Sequence, residues 1–280
     1  MISKQELLKK QKEFNIPLST VEKDYILGLI LSSFYRHPIL KQQWVFKGGT
    51  CLKKIYIQDY RFSEDLDFTI KKDGTMDTGV IANYLLEAFE SGRELLGLSI
   101  QNKNIKIDPF PDKKGLFIQI KVPYQSPLMP SGSLPRIKLD LTQDEVIEDD
   151  PSWNPLMHDY SDEKLVSIPI QSYSLDEIFA EKCRALVQRT RPRDLYDVVN
   201  IYERFYKQIN NPSNFNRIAK LKFQSKDLEF PKSFLHLSQE KFEETKKSWN
   251  YMLNHQLHFL EGVECYIEKY KGISEWLRTI

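Results

Sequence analysis

Residues 47–50 read Lys47-Gly48-Gly49-Thr50, and residues 61–68 read Arg61-Phe62-Ser63-Glu64-Asp65-Leu66-Asp67-Phe68. The two glycines follow Trp44-Val45-Phe46, which reads as a short buried strand ended by a turn. A helix is expected from Thr50 through Tyr56. A strand is expected over 61–70, because side chains alternate along a strand: Leu66, Phe68 and Ile70 share one face, and Ser63, Asp65 and Asp67 the other. The two carboxylates then lie about 6–7 Å apart along the chain. Such a pair suits Mg²⁺, which takes oxygen ligands alongside substrate phosphates. Backbone N–H groups at a helix start suit phosphate, and glycine lets it approach. Each feature has a plain alternative: two acids facing solvent from a half-exposed strand, and a tight turn.

The chain of 280 residues is long enough for one large domain or two ordinary ones. Hydrophobic residues are 41% and charged residues 28%, the balance of a soluble globular protein. The net charge of +1 excludes a global field for nucleic acid, so any such binding must come from a local patch. No apolar run approaches the ~18 residues of a membrane span, and residues 1–6 lack a secretory pattern. Cys51, Cys183 and Cys265 are far apart. They make no disulfide framework, and a reducing cytoplasm is expected.

A first helix is expected from Ser19 to about Tyr35, with Ser19-Thr20-Val21-Glu22 as a capping box. Residues 78–96 read as helix, and 105–107, 116–122 and 136–141 as strands. In the last, Ile137, Leu139 and Leu141 take one face, Lys138 and Asp140 the other. Asp140 is therefore the best candidate for a third acid on a neighbouring strand. Asp65, Asp67 and Asp140 together would complete a two-metal site for in-line displacement at phosphorus. Ser174-Leu175-Asp176-Glu177 is a second capping box, opening a helix to about Thr190, and Pro192 suits the first turn of the next. The fold expected is α+β: a mixed-sheet domain with an N-terminal helix over 1–165, then a helical domain over 166–280.

On the helix after Ser174, at ~100° per residue, Leu175, Phe179, Cys183 and Leu186 define an apolar face. Lys182 falls inside that arc, and Arg189 lies two turns further along. A cation there is costly unless it meets anions. Phosphates or the first domain's carboxylates would serve; a lysine snorkelling at the stripe's edge is the alternative. Lys182, Arg184, Arg189, Arg191 and Arg193 form the densest basic cluster. It suits a triphosphate or an RNA backbone, or equally the dipole at a helix end. Lys23 and Asp24 read as structural, and His255 with His258 as helix surface.

FKGGTCLKK, RFSEDLDF and KLDL, in that order, resemble the three motifs of the nucleotidyltransferase superfamily. With VEKDY near the start and EKCRALVQRTRPRDLYDV later, the chain is similar to the AbiEii/AbiGii toxin family over residues 21 to about 200. The interval from Thr50 to Asp65 is slightly long for the superfamily pattern. The resemblance implies a nucleotidyltransferase dependent on NTP and on Mg²⁺ or Mn²⁺, usually the toxin of a bacterial toxin–antitoxin pair. It implies that Gly48, Gly49 and Thr50 hold the triphosphate, with Lys47, Ser63 and Arg189 beside them, and that Asp65 and Asp67 bind metal. Lys182 and Asp194 match the family's later motif. The base is then Asp140 or Asp194. Implied partners are an NTP, an RNA (tRNA) or protein acceptor and a cognate antitoxin, in the cytoplasm and with no membrane. The rival readings are a catalytically silent nucleotide- or antitoxin-binding module and a small-molecule nucleotidyltransferase.

Overall fold

The computed structural model describes residues 1–110, 116–128, 134–206, 212–231 and 239–279. The chain divides into two compact units, Met1–Ile147 with Pro151–Tyr173, and Glu148–Asp150 with Ser174–Ile280.

The first unit opens with α1 (Lys4–Phe14), whose N-cap Ser3 accepts from the Glu6 N–H at 3.2 Å. This helix is polar, with Leu7 its one buried side chain, so its sequence carries little periodic signal. Next comes α2 (Leu18–Arg36), buried over nearly its whole length. The capping box expected at Ser19 does not form. Pro17 has a fixed φ and occupies the N-cap, and its carbonyl accepts from the Thr20 and Val21 N–H groups, which places Ser19 inside the first turn.

Then follow α3 (Leu40–Gln43), β1 (Trp44–Lys47) and α4 (Gly48–Cys51), which runs on through a π-helical turn over Leu52–Tyr56. The helix thus begins at the glycines rather than at Thr50. Strand β2 covers Asp65–Ile70, shorter than the expected 61–70, because Arg61 and Ser63 lie against Gly49 instead of joining the ladder. Helix α5 (Thr78–Leu96) has Asp77 as N-cap and Gly97 at φ +70° after its end. The remaining elements of this unit are β3 (Ser99–Ile100), β4 (Lys106–Pro109), β5 (Phe117–Gln125), β6 (Arg136–Thr142), β7 (Ser152–Pro155), α6 (Glu163–Val166) and β8 (Pro169–Ser172).

The strands form one mixed sheet in the order β3-β5-β6-β2-β1-β8-β7, with β4 also on β5. Strands β2 and β6 run parallel, as do β1 and β8; the other pairs are antiparallel. The alternation read from the sequence sorts the two faces. Leu66, Phe68, Ile118, Ile120, Leu139 and Leu141 are buried. Against that face lies Phe34 of α2, whose ring is 5.4 Å from Trp44, 6.0 Å from Phe68 and 5.6 Å from Phe89 of α5. Each such side chain removed from water contributes roughly 1.5–3 kcal/mol. The other face keeps the polar residues.

The second unit contains α7 (Leu175–Arg189), α8 (Pro192–Phe205), α9 (Pro212–Gln224), α10 (Gln239–Leu253) and α11 (Val263–Leu277). Ser174 caps α7, its hydroxyl accepting from the Glu177 N–H at 3.1 Å, and Pro192 opens α8. Phe179, Phe215 and Trp276 cluster in the core, with ring centroids 5.1 to 6.5 Å apart. Among the described residues no helix is long and apolar enough to cross a membrane.

Candidate active site

Strand register builds the site. Lys47 pairs with Asp67, Asp67 with Asp140, and Asp140 with Gln119, so one row of polar side chains crosses β1, β2, β6 and β5. In the adjoining row Asp65 pairs with Lys138. Neighbouring strands are ~4.8 Å apart, so Asp67 and Asp140 stand side by side. Like charges in that position repel unless a cation intervenes.

Lys138 places positive charge beside Asp140, on the side of Asp65. Its ammonium lies 3.3 Å from Asp65 Oδ2 and 3.1 Å from Asp140 Oδ2. Gln119 Nε2 donates to Asp140 Oδ1 at 3.1 Å. Burial pushes the Asp65 carboxyl above its ordinary range; Lys138 pulls it back, and Asp140 and Glu64 push it further. For Lys138, burial works downward, but the carboxylates of Asp65, Asp140 and Asp67 outweigh it and the net shift is up.

The glycine turn is fitted to these acids. Gly48 has φ +82°, a left-handed conformation that glycine adopts without strain. A Cβ there would lie 2.3 Å from Asp67 Oδ2, so the carboxylate packs directly on bare backbone. At Gly49 a Cβ would come within 2.7 Å of Arg61 Nη2 and 3.4 Å of Ser63 Oγ. The Thr50 hydroxyl donates to the Asp65 carbonyl, tying the turn to β2. The Lys47 ammonium donates to Glu145 and, at 3.3 Å, to the Thr142 hydroxyl, and stands 5.7 Å from the Tyr173 ring centre.

In the helical unit the remaining candidates meet one another. The Lys182 ammonium is 2.7 Å from Asp197 Oδ2 and 4.0 Å from Asp194 Oδ1. Arg189 donates from Nε and Nη2 to both Asp194 oxygens, at 2.7 and 2.9 Å. Asp194 and Asp197 are almost fully buried. The charge that falls within the apolar arc of α7 is thus met by two acids of α8. In VEKDY, Lys23 pairs with Glu64 and Asp24 with Lys54, both at 2.7 Å.

Sequence reading gave no site role to Lys138, Gln119, Glu145 or Arg61. Lys138 and Gln119 carried a signal, since both share strand alternation with the acids. Glu145 lies past the end of β6 and follows no period. Among the described residues, no three imidazole, thiol or carboxylate groups form a ready metal cage. The donors nevertheless fit a hard cation, because Asp65 and Asp140 oxygens already converge on an ammonium.

A mixed sheet carrying paired aspartates beside a Gly-Gly turn is the arrangement expected of a nucleotidyltransferase, and the family comparison agrees. The family model described as nucleotidyl transferase AbiEii toxin, type IV toxin–antitoxin system, matches residues 29–268, and the chain belongs to that family. Its fold is similar to that of MenT4, a nucleotidyltransferase toxin from Mycobacterium tuberculosis H37Rv, at TM-score 0.68 and 14% identity over 100% of this chain and 91% of the other. It is also similar to JHP933 from Helicobacter pylori, at TM-score 0.55 and 16% identity over 100% and 94%. No curated protein matches the chain in sequence.

Proposed function

We propose that the chain transfers a nucleoside monophosphate from an NTP to a hydroxyl at the acceptor end of an RNA, a tRNA in the first instance, and releases pyrophosphate. It acts as a toxin restrained by a cognate antitoxin in the cytoplasm. The observation that carries this reading is the register of Asp67 beside Asp140, with Asp65 two residues earlier and Gly48 packed on Asp67.

Asp65, Asp67 and Asp140 would hold Mg²⁺ or Mn²⁺, whose chemistry when bound is to neutralise phosphate charge and acidify the attacking hydroxyl. Gly48 and Gly49 admit the triphosphate to their backbone because no side chain intervenes. Lys47 supplies a cation at the same end of β1, and the Ser63 hydroxyl lies beside Gly49. Thr50 holds the turn on β2 through the Asp65 carbonyl. Asp140, oriented by Gln119, takes the proton of the attacking hydroxyl. Lys182, Arg189 and Asp194 carry the family's later motif, and their mutual ion pairs support a part in holding α7 to α8.

Incubation with each NTP labelled at the α-phosphate, together with total RNA, tests the reading. The wild type should label RNA, and the Asp65→Asn/Asp67→Asn double variant, folded by thermal melting, should not. Equal labelling by that variant would reject the metal assignment. Label appearing in a small product or a protein would replace the acceptor.

A further inference from the structure

The row next to Asp65 continues past Lys138. Lys138 pairs with Lys121 on β5, and Lys121 with Lys106 on β4, so three lysines stand in lateral register from the acids to the β4 edge. At ~4.8 Å per strand the three span about 10 Å of sheet. Lys121 is 41% exposed and Lys106 is exposed, while Lys138, 35% exposed, bridges Asp65 and Asp140 and joins the row to the acids. Arg136, two residues before Lys138, shares this face and is exposed. Phe117 lies two residues before Gln119, on the same face. Its ring is 5.0 Å from that of Phe110, edge to face, and both residues are half-buried.

We propose that this face of β4, β5 and β6 is the platform for the single-stranded end of the acceptor RNA, with Lys106, Lys121 and Lys138 along its phosphates and the Phe110–Phe117 pair against a base. The proposal rests on the reading of the acceptor as RNA. Charge complementarity argues for it: the whole chain is only +1, so this line of cations beside the acids is a local feature. An aromatic pair on the same face as the cations, one row of side chains beyond Asp140, Gln119 and Asp108, favours RNA over an acidic polypeptide, because every base offers a face to stack. Asp108 lies 3.7 Å from Lys121, but both are about half exposed, and a surface pair of that kind yields readily to phosphate.

The test is binding by the full chain to a fluorescein-labelled single-stranded RNA with a free 3′ hydroxyl, followed by anisotropy across a salt series. Lys106→Gln/Lys121→Gln should weaken binding about tenfold and reduce the salt slope by roughly 1.4, at ~0.7 per lost contact on a single strand. Phe117→Leu should weaken it by a salt-independent factor of about five or more. Binding of a non-hydrolysable NTP should be unchanged in both variants, which serves as the control for folding. An unchanged RNA affinity and slope in the lysine variant would overturn the proposal. So would a polyglutamate probe that binds this face while RNA fails to compete. Wild-type protein that binds RNA through these lysines yet labels none would sink the transfer reaction and leave the platform standing. Wild-type labelling of RNA that the variants reproduce would sink the platform alone.

Discussion

Asp67 and Asp140 are register partners on the parallel strands β2 and β6, and the Asp67 carboxylate rests on the backbone of Gly48. No turn joins these two acids, which are brought together by pairing between strands 73 residues apart (140 − 67). Asp140→Asn keeps the shape and the contact with Gln119 but removes the proton acceptor. Transfer should fall by about 10²–10⁴, the usual worth of a positioned acid or base, with the melting temperature nearly unchanged. A loss below tenfold, measured with saturating NTP and RNA, would move the base elsewhere.

Gly48→Ala tests the turn. The φ of +82° disfavours any side chain by roughly 1–2 kcal/mol, and the new methyl would collide with Asp67 Oδ2. The variant should melt several degrees lower, at ~2–4 °C per kcal/mol for a chain of this size, and lose transfer activity as Asp67 is displaced. Full activity at a lowered melting temperature would separate Asp67 from the reaction.

The parts of this site legible in the sequence were those written within single strands. Asp65 with Asp67, and Lys138 with Asp140, follow from period two, and the capped start of α7 follows from Ser174 and Glu177. Alternation marks Asp140 as an acid on a neighbouring strand, but the residue-by-residue register did not follow, because it is set by packing of the buried face and leaves no mark in either strand's own pattern. For that reason the bridge from Lys138 to Asp65 was not legible, and neither was the parallel pairing of β1 with β8. Short polar elements such as α1 and β7 bury too little to impose a period.

The contact of Lys47 with Glu145 holds the lysine in the free protein. If Lys47 serves the triphosphate, Glu145 competes with substrate for it. Glu145→Gln should lower the KM for NTP, and Lys47→Gln should raise it by roughly tenfold, the worth of one charge-assisted hydrogen bond of about 1.5 kcal/mol. The same KM in both variants and the wild type would remove Lys47 from the phosphate site.

The helical unit should depend on the pairing of α7 with α8. Asp197 is buried, and Lys182 is only 12% exposed. Removing one member of a buried pair costs about 3–5 kcal/mol, whereas replacing both with apolar residues is often neutral. Asp197→Ala should therefore shift urea unfolding by about that amount, and Lys182→Met/Asp197→Leu should recover most of it. A double variant as unstable as the single one would show that the charges themselves hold these helices.

Asp24 and Lys54 give the corresponding prediction for the sheet unit, with a pH signature. Both side chains are at most 5% exposed, their charged atoms are 2.7 Å apart, and the Tyr160 hydroxyl donates to Asp24 Oδ2 at 3.0 Å. Burial works to raise the Asp24 pKa, but Lys54 and Lys53, helped by Tyr160, outweigh it and hold the carboxyl below its ordinary value. A carboxyl depressed on folding contributes stability that is fully present above the unfolded-state value of about 3.9 and is lost as pH falls through the lower folded value. Asp24→Asn removes the charge and leaves the Lys54 ammonium buried, at a cost of roughly 3–5 kcal/mol near neutral pH. Urea unfolding of both proteins over a pH series should show that gap constant near neutrality and closing below about pH 4. A gap that stays constant through the acid range would mean that Asp24 is held by its hydrogen bonds and not by its charge.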